Sequence, residues 1–93
     1  ILLIIDNGSY GSTGDQTTYA GMRTSLADVA RACGCDHVVE CAAEDTAAAV
    51  EAALTAEQTT VIVSKCESGN IKVPVIELDP VMIKERFMAS VAE

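Results

Sequence analysis

Hydrophobic residues in this chain occur in two patterns, short unbroken runs and positions spaced three or four apart. The unbroken runs predict strands buried on both faces, as in a parallel sheet. ILLII at residues 1–5 predicts the first, HVVEC at 37–41 the second, and TTVIVS at 59–64, β-branched throughout, the third. Residues 73–78 predict a fourth, which Pro74 suits to an edge or irregular position, because proline cannot donate to a ladder. The spaced positions predict helices. Ser25 and Asp28 form a capping box at the start of the first, Leu26, Val29, Ala30 and Cys33 share its apolar face, and Gly34 ends it in a left-handed conformation. Asp45 is the predicted cap of an alanine-rich second helix, TAAAVEAALTAE, with Ala47, Val50 and Leu54 on its buried face. Asp79 and Pro80 open the last helix as cap and first residue. There Ile83, Phe87 and Val91 align, Met88 flanks them, and Lys84, Glu85 and Arg86 face water. The order strand, helix, strand, helix, strand, strand, helix predicts a parallel α/β sheet with flanking helices in three layers, α/β/α.

Residues 6–24 interrupt this regularity. A connection of that length is usually functional, and this one is rich in glycine, serine and threonine: DNGSYGSTGDQTTYAGMRT. Residues 16–20 are compatible with one helical turn, and Tyr10, Tyr19 and Met22 give the loop apolar surface to tuck down. The loop follows the carboxyl end of the first strand, where open α/β sheets bind their ligands. Asn7 offers a side-chain oxygen to a hard cation, Gly8, Gly11 and Gly14 allow close backbone approach, and Ser9, Ser12 and Thr13 supply hydroxyls. That chemistry suits a metal-bound phosphate; the same composition also makes a plain connection. Residues 65–70, KCESGN, follow the third strand and approach the same crevice.

Composition narrows the function classes. Six basic against fourteen acidic residues give a net charge of -8, which disfavours sequence-independent nucleic-acid binding and anionic membrane surfaces alike. No apolar run approaches the roughly 20 residues of a membrane span, and residues 1–20 lack the basic segment and cleavage site of a signal peptide. The expected location is the cytoplasm. Cys33 and Cys35 make a C-x-C pair without a partner pair at metal-site spacing, so these two, Cys41 and Cys66 are expected to pack as small hydrophobes. A thiol switch through Cys33 and Cys35 is the competing use. His37, the only histidine, reads as a strand-entry residue rather than a general base. A chain of 93 residues makes one domain at most. An apolar strand beginning at residue 1 with no lead-in predicts that the chain is the C-terminal part of something larger, and that the uncovered strand recruits another chain into a homo- or hetero-oligomer.

The stretch DNGSYGSTGDQ, with the ending IELDPVMIKERFM, resembles the thiamine diphosphate-dependent decarboxylases, most of all those acting on sulfopyruvate and phosphonopyruvate. The likeness covers essentially all 93 residues, as the C-terminal portion of the diphosphate-binding domain. It implies a thiamine diphosphate- and Mg2+-dependent enzyme that decarboxylates a small 2-oxo acid. With sulfopyruvate the products are sulfoacetaldehyde and CO2, a step towards coenzyme M; acetolactate synthase-like enzymes share the motif. By position, Asn7 matches the side-chain ligand of Mg2+ and Ser9 the residue whose carbonyl oxygen also binds it. Gly8, Tyr10 and Gly11 belong beside the cofactor, while Ser12 and Thr13 face the substrate side. The Gly-Asp-Gly half of the family motif is absent, and so is its carboxylate ligand. The glutamate that activates the aminopyrimidine belongs to a separate pyrimidine domain. The resemblance therefore implies a partner subunit or domain and an isolated chain that is inactive. The reading from another class is a non-catalytic α/β module binding a phosphorylated ligand or a protein.

Overall fold

In a computed structural model the described residues are 1–69, 71–74, 76 and 78–92. The first apolar run forms β1 (Leu2–Asp6), and the loop after it folds into a small antiparallel pair, β2 (Ser9–Tyr10) and β3 (Gln16–Thr17). Then come α1 (Leu26–Ala32), β4 (His37–Ala42), a 3-10 turn (Ala43–Asp45), α2 (Thr46–Leu54), β5 (Thr60–Lys65) and α3 (Pro80–Val91). The main sheet is parallel with strand order β1-β5-β4, so the last strand among the described residues lies in the middle.

Side-chain alternation along β5 shows where the helices sit. Val61 and Val63 point to one face and pack with Ala27 of α1, joined by Ile4, Leu26, Ala30, Cys35 and Val38. Ser64 points to the opposite face, where its hydroxyl lies 2.6 Å from Thr46 Oγ1 at the start of α2. The two helices therefore cover opposite faces of the sheet, which gives the expected α/β/α layering. Ile62 and Val63 are completely buried at the centre.

Helix α1 is fixed at both ends by local chemistry. The Ser25 hydroxyl accepts from Asp28 N at 3.0 Å, satisfying an otherwise free helix donor. At the other end Gly34 adopts φ +89, Gly34 N donates to Arg31 O at 2.9 Å and Cys35 N to Ala30 O at 3.1 Å, the paired bonds of a Schellman motif. The buried stripe is not the predicted one. Ala27 is the most buried residue, with Leu26 and Ala30 beside it, while Val29 and Cys33 are exposed. The small side chain of Ala27 lets the helix sit close to the sheet, and this rotates Val29 outward.

Helix α2 departs in a similar way. Asp45 belongs to the 3-10 turn and makes no side-chain cap; the Thr46 hydroxyl meets Ser64 instead. The stripe facing the sheet is Thr46, Ala49, Val50 and Ala53, with Ala53 buried, and Leu54 stands 73 % exposed. Asp79 does cap α3, accepting from Val81 N at 2.9 Å with Pro80 in the first turn. No described residue of α3 is buried, so Ile83, Phe87 and Val91 share an uncovered face. Of the fourth predicted strand, Val75 and Glu77 lie outside the described residues. Val73, Pro74, Ile76 and Leu78 are in no strand and are exposed.

Candidate functional site

The site begins with the two charges that end β1 and β5. The parallel register pairs Asp6 with Lys65, so both side chains emerge on the same face at the carboxyl edge of the sheet. Asp6 is only 7 % exposed, and a carboxylate so placed needs partners for its charge. Its Oδ2 accepts from Lys65 Nζ at 2.6 Å and its Oδ1 from Gly8 N at 3.1 Å. Lys65 Nζ also lies 4.0 Å from Glu40 Oε2 on β4, so the charges of three adjacent strands meet along this edge. The hydrogen bond from Lys65 holds the Asp6 carboxyl below its ordinary value; burial opposes this, and the Gly8 N–H adds to the lowering. The same bond raises the Lys65 ammonium above its own.

Beyond Asp6 the chain makes two overlapping side-chain turns. Asn7 Oδ1 accepts from Ser9 N at 3.2 Å, one residue after Asp6 Oδ1 has accepted from Gly8 N. Gly8 joins the two turns at φ +66, a conformation that an L side chain strains to adopt. Its carbonyl accepts from Thr18 N at 2.9 Å. Gly21 presses against the same carbonyl so closely that a Cβ on Gly21 would lie 2.5 Å from Gly8 O.

The helical turn predicted at residues 16–20 is replaced by β3, because the reversal before it sends the chain back along β2. Thr13 N and Asp15 N both donate to Tyr10 O at 3.1 Å, and Gly14 and Asp15 take φ of 147 and 58. The helical bonding falls later, where Met22, Arg23 and Thr24 N–H groups converge on Tyr19 O. Tyr10, Tyr19 and Met22 are exposed rather than tucked down.

Between the ends of β1 and β5 lies a crevice of about 460 Å3, into which Asn7, Gly8 and Ser9 project with Asp6, Lys65 and Asp15. Thr17, Ala20 and Gly21 also line it, and so do Cys66 and Ser68 from the predicted stretch 65–70, of which Asn70 lies outside the described residues. The Ser9 hydroxyl donates to Asp15 Oδ1 at 2.5 Å. Tyr10, Gly11, Ser12 and Thr13 lie outside the lining, in the rising turn, where Thr13 Oγ1 donates to Gln16 Oε1 at 3.1 Å. The structure thus brings Asn7, Gly8 and Ser9 together and sets the other four predicted residues apart from them.

Sequence reasoning did not single out Asp6 and Asp15 as site residues, and it brought Lys65 to the crevice only as part of residues 65–70, without its pairing to Asp6. For Asp6 and Lys65 a signal was present: opposite charges close two apolar runs, and parallel pairing of those runs brings them together. Cys66 reaches the crevice rather than the core, Cys33 is exposed, and Cys35 packs under α1 as expected. All four cysteines are free, and no cluster of metal-ligating His, Cys, Asp or Glu forms among the described residues. His37 stands exposed at the start of β4, hydrogen-bonded to Gln58. No helix of the described residues is long and apolar enough to cross a membrane.

Comparison with known proteins points to the same loop. The sulfopyruvate decarboxylase subunit beta of Methanocaldococcus jannaschii is 41 % identical over 91 residues, covering 98 % of this chain and 48 % of that protein. The sulfopyruvate decarboxylase subunit beta of Methanococcus maripaludis is 44 % identical, covering 98 % of this chain and 49 % of that protein. The chain thus spans about half the length of the curated relatives it matches. No solved structure matches it. The family described as "Thiamine pyrophosphate enzyme, C-terminal TPP binding domain" matches residues 1–64, a span that takes in β1, the loop and all of β5 except Lys65. The chain belongs to that family of thiamine pyrophosphate enzymes.

Proposed function

We propose that this chain supplies part of the Mg2+–diphosphate site of a thiamine diphosphate-dependent decarboxylase acting on a small 2-oxo acid, sulfopyruvate above all. The observation that carries this is the convergence of Asn7, Gly8 and Ser9 in one crevice at the carboxyl end of β1. The donor set fits the group. Asn7 Oδ1 uses one lone pair on Ser9 N and keeps the other, and oxygen donors are what Mg2+ takes. The charged residues lining the crevice are Asp6, Asp15 and Lys65. An anionic diphosphate beside two carboxylates and a single ammonium needs a divalent cation between them. The glycine contact at Gly8 and Gly21 keeps this wall free of side chains, so that backbone can lie against a ligand.

Thiamine diphosphate, when bound, supplies the electron sink that decarboxylation of a 2-oxo acid requires. The residues here hold and orient. In this assignment Asn7 and the Ser9 carbonyl hold the metal, Gly8, Tyr10 and Gly11 flank the cofactor, and Ser12 and Thr13 face the substrate from the turn between β2 and β3. For the last four the support is the likeness of the NGSYGSTG stretch. Both relatives are named as beta subunits, which supports an assembly with another kind of subunit. The likeness of the loop implies that this partner carries the pyrimidine-binding half and the activating glutamate, and the expected location is the cytoplasm. Calorimetric titration of thiamine diphosphate with Mg2+ into the full-length subunit and its partner tests the assignment. Asn7→Ala is expected to weaken binding by at least the roughly 10- to 100-fold that follows loss of a group that only orients a metal ligand; unchanged binding overturns it. Sulfopyruvate turnover by the isolated 93-residue chain would sink the requirement for a partner.

A further inference from the structure

We propose that Asp6 and Lys65 form a clasp that sets the Asn7–Ser9 turn, making both of them positioning residues for the metal–diphosphate site. This rests on the site assignment above. The assignment makes neither residue a ligand. Asp6 is tied down at three points: Oδ2 to Lys65 Nζ at 2.6 Å, Oδ1 to Gly8 N at 3.1 Å, and its own carbonyl to Cys66 N at 2.9 Å. The main-chain bond and the ion pair together fasten the start of the loop to the end of β5. With one carboxylate oxygen held by Lys65, the other is aimed at Gly8 N. Gly8 is the residue between Asn7 and Ser9, and its positive φ and close contact with Gly21 leave one tight arrangement for it. The direction of Asn7 Oδ1 is thus set by an ion pair that Asn7 does not touch. Glu40, 4.0 Å from Lys65 Nζ, extends the arrangement to the third strand.

Mg2+ makes such control consequential, since it demands near-ideal octahedral geometry at about 2.0–2.1 Å. Removal of a partner that orients a ligand typically costs 10–100-fold in metal affinity. Lys65 also lines the crevice, so a simpler use must be separated from this one: direct attraction of the diphosphate by its charge. The two differ in sign at Asp6. With Mg2+ held saturating, Asp6→Ala removes a negative charge and frees the ammonium, so direct attraction makes thiamine diphosphate binding tighter. A clasp makes it weaker.

The test is calorimetric titration of thiamine diphosphate and of Mg2+ into the full-length subunit with its partner, comparing the parent with Lys65→Met, Lys65→Arg, Asp6→Ala and Asn7→Ala. Circular dichroism establishes that each variant is folded. The expected result is a loss of roughly 10- to 100-fold for Lys65→Met and for Asp6→Ala, with most of the affinity restored in Lys65→Arg, which keeps a donor for Asp6. Parent-like binding by Lys65→Met, or tighter binding by Asp6→Ala, overturns the clasp. If either variant fails to fold, Asp6→Asn decides: it keeps an acceptor for Gly8 N but loses the ion pair, and unchanged binding overturns the proposal. Loss at Asn7→Ala with none at Lys65→Met overturns the clasp alone. No loss at either overturns the site assignment beneath it.

Discussion

Strands β1 and β5 are near equals as sequence and opposites as structure. LLIID and TVIVSK are both apolar runs that end in a charge. Every residue of β5 from Thr60 to Ser64 is buried, whereas in β1 Leu2, Leu3 and Ile5 are exposed, Ile5 at 61 %. The difference comes from neighbours. β5 has a strand on each edge and a helix on each face; β1 has β5 on one edge, and α2 lies against β4 and β5. An apolar run records a capacity for burial, and the surrounding chain decides how much of it is used. α3 teaches the same lesson, with its Ile83, Phe87 and Val91 side uncovered among the described residues.

The sharpest way to break this comparison is to truncate register neighbours that share a face. Leu3 pairs with Ile62, which is 0 % exposed against 41 % for Leu3. Ile62→Ala is expected to cost this chain about 2–5 kcal/mol in urea unfolding, and Leu3→Ala roughly 1 kcal/mol or less. Equal costs would show that β1 is as well covered as β5. Repeating both in the full-length subunit sharpens the point: if further chain covers β1 there, the cost of Leu3→Ala rises towards that of Ile62→Ala.

A smaller effect is expected where the loop leaves β1. Gly21→Ala places a methyl 2.5 Å from the Gly8 carbonyl, and backbone has to move to relieve it. A destabilisation of about 1–3 kcal/mol is expected, as for other overpacked sites, and a thermal melt measures it. A value near zero would mean that the loop shifts freely, unlike the strand that it follows.

The smallest effect lies where the two strands meet. Asp6, with its carboxyl lowered, stabilises the fold at pH above the ordinary carboxylate value, and this is lost as pH falls through the lowered one. Lys65, with its ammonium raised, stabilises below its ordinary value, and this is lost as pH rises through the raised one. Compared with a double Asp6→Asn, Lys65→Met variant, the parent is expected to show an added loss of stability below about pH 4 and another above about pH 10. Lys65 is 42 % exposed, so solvent screening keeps both losses modest. Parallel stability–pH curves for the two proteins would count against the pairing.

Much of this architecture was legible beforehand, because strand runs, the Ser25 and Asp79 caps and the Gly34 stop are short-range signals, each read within a few residues. The helix faces were less so. Val29 and Leu54 fit an apolar stripe by spacing, but close approach through Ala27 and Ala53 decided which side turned inward. In the site, Asn7, Gly8 and Ser9 could be found because they are contiguous. Asp6 and Lys65 each close an apolar run with an opposite charge. That signal pairs them only once β5, and not β4, is known to lie against β1, and spacing along the chain does not state which. Tyr10, Gly11, Ser12 and Thr13 lead into the reversal at Gly14 and Asp15, whose positive φ no pattern along the chain states, and they lie outside the crevice lining.

Strand order also carries a consequence for how the protein is made. Asp6 and Lys65 are separated by 59 positions, and the whole of α1, β4 and α2 is synthesised between them. β1 is made before β5, so the edge of β1 that β5 covers waits unpaired while the residues between them are translated. Such nascent segments are exposed to aggregation and to chaperones. The crevice, built across that same junction, cannot exist before the ribosome has passed residue 65.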